Sequence, residues 1–362
     1  MTIHGKKVEL NMQTKLSFNS EESNKKPLPD LTQHNANSIV EPVIISASRA
    51  TDIPKWYAEW FINRLNEGFV IWINPFNQNY RQIVSFNKTR AIVFWTKDPK
   101  PLMKYLHKVE EKGIDYYFQF TLNDYEAENI EPNLSSLNGR IETFKELSNQ
   151  IGKKRVIWRF DPLILSDEIT VDTLLNKIKN VGNQIHAYTE KLVISFVDMS
   201  EYNLVKQRLN KLNKNYREFT PSEMLQLAEG LHEINKKWDL IIATCAEDWP
   251  KGTDLSKWGI VHNRCIDDEL LKRLFPNNRE LMKFLKAKKI PLKTLSESSK
   301  QKNPLKDKNQ RDACGCIISK DIGHYETCMH LCTYCYANKW DTKVRNRYEK
   351  YCQSDRNGES IV

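Results

Sequence analysis

The 362-residue chain contains no run of about 18 consecutive apolar residues, which argues against a membrane-spanning helix. It also lacks a charged-then-apolar pattern at its N-terminus, so no secretory leader is expected and the protein reads as cytoplasmic. Acidic residues are in deficit: 46 Asp and Glu stand against 55 Lys and Arg, a formal net charge of +9. That balance suits a polyanionic partner such as nucleic acid. Sustained hydrophobic periodicity is missing from residues 1–40, which are rich in Asn, Ser and Lys and are expected to form a disordered extension. A reducing compartment disfavours disulfides, so the eight cysteines read as metal or catalytic ligands.

From residue 42 onward, apolar runs alternate with amphipathic segments. Val43 to Ala47, Val70 to Ile73, Ala91 to Trp95, Tyr116 to Phe120, Val156 to Phe160, Leu192 to Val197 and Leu240 to Thr244 have the length and aliphatic or aromatic content of buried strands. Helices are expected between them, at Pro54 to Asn66 after Asp52 and at Pro221 to Ile234 after Thr220, each with proline near a first helical position. Strands alternating with helices predict an α/β fold with a parallel sheet, closed as a TIM-like β/α barrel. The weak point is the link from Phe76 to Arg90, which is short and β-like at Gln82 to Phe86. The expected organisation is a barrel core over 41–250, a helical, Lys-rich connection over 251–312 and a Cys-rich segment over 313–362. In the last segment Cys316 to Ser319 is a further strand and Tyr336 to Tyr351 its helix.

Cys328, Cys332 and Cys335 lie in Thr327-Cys-Met-His-Leu-Cys-Thr-Tyr-Cys-Tyr-Ala-Asn338. One short loop thereby supplies three thiolates, whereas a cubane 4Fe-4S cluster normally takes four, and one iron would stay open to a chelating ligand. Zinc is the alternative, with Cys314 or Cys316 as fourth ligand. Cys245, Cys265, Cys314 and Cys316 equal in number the ligands of a second site, either an iron-sulfur cluster or zinc, against the plain reading of buried free thiols.

The Cys328–Cys335 loop resembles the signature of the radical S-adenosylmethionine superfamily. The resemblance implies a 4Fe-4S cluster, S-adenosylmethionine chelated to its fourth iron, a 5′-deoxyadenosyl radical, and a reductase or flavodoxin-type electron donor. It casts Tyr334 as the aromatic residue near the adenine. The loop is also similar to those of DNA photoproduct lyase relatives, which points to a DNA lesion or modified nucleotide as substrate. A wider match takes in Ile45-Ser-Ala-Ser-Arg-Ala-Thr-Asp-Ile-Pro54, Phe94-Trp-Thr-Lys97, Trp158-Arg-Phe-Asp-Pro162 and Cys314-Gly-Cys-Ile-Ile-Ser-Lys-Asp-Ile-Gly323. Over roughly residues 42 to 340 the chain resembles the family known as domain of unknown function 1848, whose known feature is this radical-type cysteine cluster. The superfamily carries its cysteines near the start of the domain and this chain near the end. Either the barrel is circularly permuted or a different scaffold has adopted the cluster.

In such barrels the C-terminal strand ends line the active site. There Arg49, Lys97 and Arg159 suit anionic parts of cofactor or substrate. Asp161, Asp198 and Glu247 suit ribose hydroxyls or proton exchange, and Ser48, Asn74, Asn123 and Ser195 are cofactor-binding candidates. Asp52, Thr51 and Asp161 serve equally as helix caps, and Trp95 and Trp158 as core packing. Gln13-Thr-Lys-Leu-Ser-Phe18 resembles a sliding-clamp docking peptide, against the reading of an ordinary tail. The competing function is a non-catalytic zinc or iron-sulfur module that binds nucleic acid.

Overall fold

The computed structural model describes residues 26–245, 247, 249–286 and 304–362. In chain order the strands are β1 (Ser38–Val40), β2 (Ile44–Ala47), β3 (Phe69–Asn74), β4 (Asn77–Ser85), β5 (Ala91–Thr96), β6 (Asp115–Thr121), β7 (Val156–Leu163), β8 (Lys191–Phe196), β9 (Ile241–Thr244), β10 (Ile260–His262) and β11 (Lys320–Asp321). Eight of them form one parallel sheet in the order β10-β9-β8-β7-β6-β5-β2-β11. From β2 to β10 each strand is laid beside its predecessor in this sheet, without the reversal of a doubly wound sheet. β10 and β11 end the order, yet their neighbouring segments meet: the Ile317 N–H donates to the Ile266 carbonyl at 3.1 Å.

The crossings are helical where the sequence supplies caps. Val171–Ile185 starts at Thr170, whose hydroxyl accepts the Thr173 N–H. Pro221–Asn235 starts at a reciprocal capping box of Thr220 and Glu223. The helix expected at Pro54 to Asn66 is two pieces, Ile53–Trp56 and Ala58–Glu67, with the Asp52 side chain capping the first.

Four expectations need correction. Val70 to Ile73 is not in the parallel sheet: β3 turns back through Pro75 and Phe76 into β4, and with β1 they make a separate three-stranded sheet. A turn that short permits only an antiparallel return. Ser38–Val40, assigned to the extension, is the strand that pairs with β4. Within 251–312 a strand, β10, joins the sheet beside the helices Asp268–Leu274 and Arg279–Lys286; three residues are too few for a readable pattern. The last strand pairs at Lys320–Asp321 rather than at Cys316 to Ser319, and the final helix runs Asp341–Gln353. The clamp-like peptide and most of the Lys-rich stretch lie outside the described residues.

Alternation along each strand divides the core in two. Ile45, Ile92, Phe94, Phe118, Trp158, Leu192 and Ile242 face the crossing helices, which confirms Trp158 as core. Ile44, Ala91, Val93, Tyr117, Ile157, Val193 and Ala243 face the other way, against Leu270, Leu271, Leu281 and Leu285 of the two helices after β10. Two residues further along that second face the side chains turn polar.

Candidate functional site

Continuing the second face by steps of two gives Trp95 on β5, Gln119 and Thr121 on β6, Arg159 and Asp161 on β7, Ser195 on β8, and Cys245 and Glu247 after β9. All but Gln119 border a cavity of about 350 Å³. The loop after β2 adds Ser48, Arg49 and Asp52, and the C-terminal segment adds Cys328, His330, Cys332, Tyr334 and Cys335. Gly323, just after β11, lets the two segments approach: a Cβ there would collide with Ser48 Oγ.

The expected cations differ in how far they are already paired. Lys97 Nζ sits 2.7 Å from Glu131 Oε1 and donates to the Tyr334 hydroxyl at 2.9 Å. Arg159 is ion-paired with Asp161, whose other oxygen accepts the Ser195 hydroxyl. Arg49 lies over the Trp95 ring at 5.3 Å, as Arg159 does at 5.1 Å, and its Nη2 is buried without a hydrogen-bond partner among the described residues. Trp95, expected in the core, is thus a cavity wall.

Burial works against the charged forms here, but the partners prevail. Glu131 is fully enclosed, which pushes its carboxyl up, yet the Lys97 and Arg140 charges hold it below the usual range. Asp161 is likewise held low, burial being outweighed by Arg159 and the Ser195 hydroxyl. Sequence reasoning missed Glu131: it sits in the loop after β6 with no motif spacing to mark it. Asn123 is buried beneath the cavity, accepting the Asp161 N–H at 2.8 Å and donating to Tyr334 at 3.2 Å. Tyr334 therefore has its hydroxyl tied into this network, also donating to Glu131.

Asp52 caps its helix and in addition accepts the Lys97 N–H at 2.7 Å and faces His330 Nε2 at 2.7 Å. Asp161 is not a cap. Asp198 lines the cavity mouth and faces Arg311 at 3.3 Å. Asn74 is placed elsewhere: its side chain accepts the Phe76 and Asn77 N–H groups in the β3–β4 turn. That turn belongs to the smaller sheet, so Asn74 does not border the cavity.

The two cysteine sets are brought together separately. Burial raises the thiols of Cys328, to about 12, and of Cys332 and Cys335; neighbouring thiols push Cys328 and Cys332 the same way, and the Lys97 charge only partly offsets this at Cys332 and Cys335. Cys245 and Cys265 touch at 3.4 Å between sulfurs, and the Cys316 thiol lies near enough to those of Cys265 and Cys314 to interact with them. Cys352 stands apart and exposed. Among the described residues no three His, Cys, Asp or Glu side chains already surround a common metal position. The donor chemistry of the loop nevertheless fits a three-thiolate cluster, since all three cysteines line the cavity.

The family model described as "Domain of unknown function (DUF1848)" matches residues 44–337, and the chain belongs to that family. A search among curated proteins found no match. Among solved structures, a Bacteroides thetaiotaomicron protein with a provisional alpha-L-fucosidase name aligns at 11% identity over 92% of this chain and 98% of its own, with a TM-score of 0.24. Similarity at that level assigns neither fold nor activity. No helix among the described residues is long and apolar enough to cross a membrane.

Proposed function

We propose that this family member is a radical-type S-adenosylmethionine enzyme in which Cys328, Cys332 and Cys335 hold a 4Fe-4S cluster and the eight-stranded sheet closes as a barrel around the site. One observation carries the reading. Three cysteines of a single loop meet the polar ends of β2, β5, β6, β7, β8 and β9 at one cavity, as catalytic groups do at the C-terminal face of β/α barrels. Sequential strand order and the Ile317–Ile266 hydrogen bond support closure.

Bound there, the cluster would supply the electron that cleaves the sulfonium of S-adenosylmethionine. The chain's own residues bind and orient. Arg49 has an unpaired guanidinium nitrogen to offer a carboxylate. Asp161 and Ser195 present hydroxyl-binding groups whose positions Arg159 fixes. Lys97, Glu131 and Asn123 anchor Tyr334 and with it the cysteine loop.

Anaerobically reconstituted, dithionite-reduced protein is expected to contain iron and sulfide and to convert S-adenosylmethionine to 5′-deoxyadenosine. Cys332→Ala should abolish that conversion. Arg49→Ala should weaken S-adenosylmethionine binding by roughly 10- to 100-fold, the worth of a charge-assisted hydrogen bond. An iron-free, colourless protein, or cleavage that survives Cys332→Ala, overturns the reading; zinc on the loop would favour a non-catalytic module instead.

A further inference from the structure

The four cysteines outside the loop come from three places in the chain: Cys245 follows β9, Cys265 follows β10, and Cys314 with Cys316 precedes β11. Folding gathers them: the Cys245 and Cys265 sulfurs lie 3.4 Å apart, and the Cys316 thiol lies near enough to interact with those of Cys265 and Cys314, although among the described residues no three of them already surround a metal position. Four buried or half-buried thiols rarely meet by chance in a protein whose other thiols serve another site.

We propose that Cys245, Cys265, Cys314 and Cys316 form a closed tetrathiolate site for a single zinc ion, which ties the β10 end of the sheet to its β11 end. Spacing selects the metal. With Zn–S bonds of about 2.3 Å, tetrahedral geometry sets its sulfurs about 3.8 Å apart. Cys245 and Cys265 would need to separate by only a few tenths of an ångström from 3.4 Å, whereas a cubane must place irons and sulfides between its cysteines. Zinc binding releases the thiol protons and leaves a net charge of −2 on the centre.

The surroundings suit that charge. Arg159 Nη1 and Asn263 Nδ2 each donate to Cys265 Sγ at 3.1 Å, the N–H···S contacts that hold thiolate ligands in place. The Arg49 guanidinium lies close enough to interact with the charge of Cys316. Tyr117 and Gln119 hold the Cys265 backbone through its carbonyl at 2.7 and 2.8 Å. All four positions being cysteine leaves no open coordination position, so the role is structural. The staple also bears on the cavity, because Arg159 joins Cys265 to Asp161 and Cys245 borders the cavity itself.

The two cysteine sets can be tested apart, so the proposal stands or falls independently of the cluster reading. Protein purified anaerobically with Cys328, Cys332 and Cys335 all changed to Ala should retain about one zinc per chain and no iron. Adding Cys265→Ser and Cys316→Ser should remove that zinc. Should the added changes prevent folding, cobalt exchange into the triple variant decides, since a tetrathiolate site gives visible tetrahedral cobalt bands with intense sulfur charge transfer. A triple variant that is metal-free with all four thiols open to alkylation overturns the proposal. So does one that keeps an iron-sulfur spectrum, or one with a Cys245–Cys265 disulfide and no zinc.

Discussion

The cysteines other than Cys352 fall into two groups, and these differ in how the chain assembles them. Cys328, Cys332 and Cys335 belong to one loop, so chain connectivity alone keeps them near one another. Cys245, Cys265, Cys314 and Cys316 converge only because β9, β10 and β11 take their places in one sheet. The local set faces a cavity and the dispersed set is enclosed, with Cys245 alone reaching the cavity wall. Proximity that rests on neighbouring residues leaves coordination open to solvent and ligand; proximity that rests on the sheet's two ends can also hold those ends together.

The sharpest way to break this comparison is to disturb the support of one set alone. Glu131→Ala leaves Lys97 buried and unpaired beneath the loop and should cost about 3–5 kcal/mol, read from the urea midpoint. Zinc content at the dispersed cysteines should be unchanged in the population that folds. Gly323→Ala strikes the junction between the sets, forcing a Cβ against Ser48 Oγ, and should cost about 1–3 kcal/mol by calorimetry while loosening both.

Acid offers a graded test of the same side. The folded protein holds Glu131 and Asp161 below their ordinary values, so their stabilisation is fully present above about pH 4.5 and fades as pH falls through the depressed folded values. Glu131→Gln should flatten the acid limb of a pH–stability curve; an unaltered limb would show that the Lys97 pair is not what supports the loop. The smallest effect belongs to a site remote from both sets. Thr220→Ala removes a capping box and should lower stability by about 1 kcal/mol with no change in metal content at either.

Legibility followed the range of the interactions. The strands at residues 91–96, 115–121, 156–163 and 191–196 were readable because each buries both faces and therefore carries an apolar run, at 91–94, 116–118, 156–158 and 192–194, before its polar end. Polar residues at their C-terminal ends were readable as cavity residues for the same reason, and Arg49, Arg159, Asp161 and Ser195 do meet there. Asn74 misled because β3 looks like its neighbours over six residues, and only its two-residue return separates it from them. β10 and Glu131 carried no signal at all: one is three residues of ordinary composition, and the other acquires its meaning from Lys97, 34 residues earlier.

The sequence by itself determined the alternation of strands and helices, the three-cysteine loop and the supply of polar groups at one rim, since each depends on residues a few positions apart. Tertiary structure alone decided which cations keep a free hydrogen-bonding atom, that two guanidinium groups lie against Trp95, and that Cys245 meets Cys265. Those facts depend on pairings between distant segments, which burial and strand order select and which no local pattern of residues encodes.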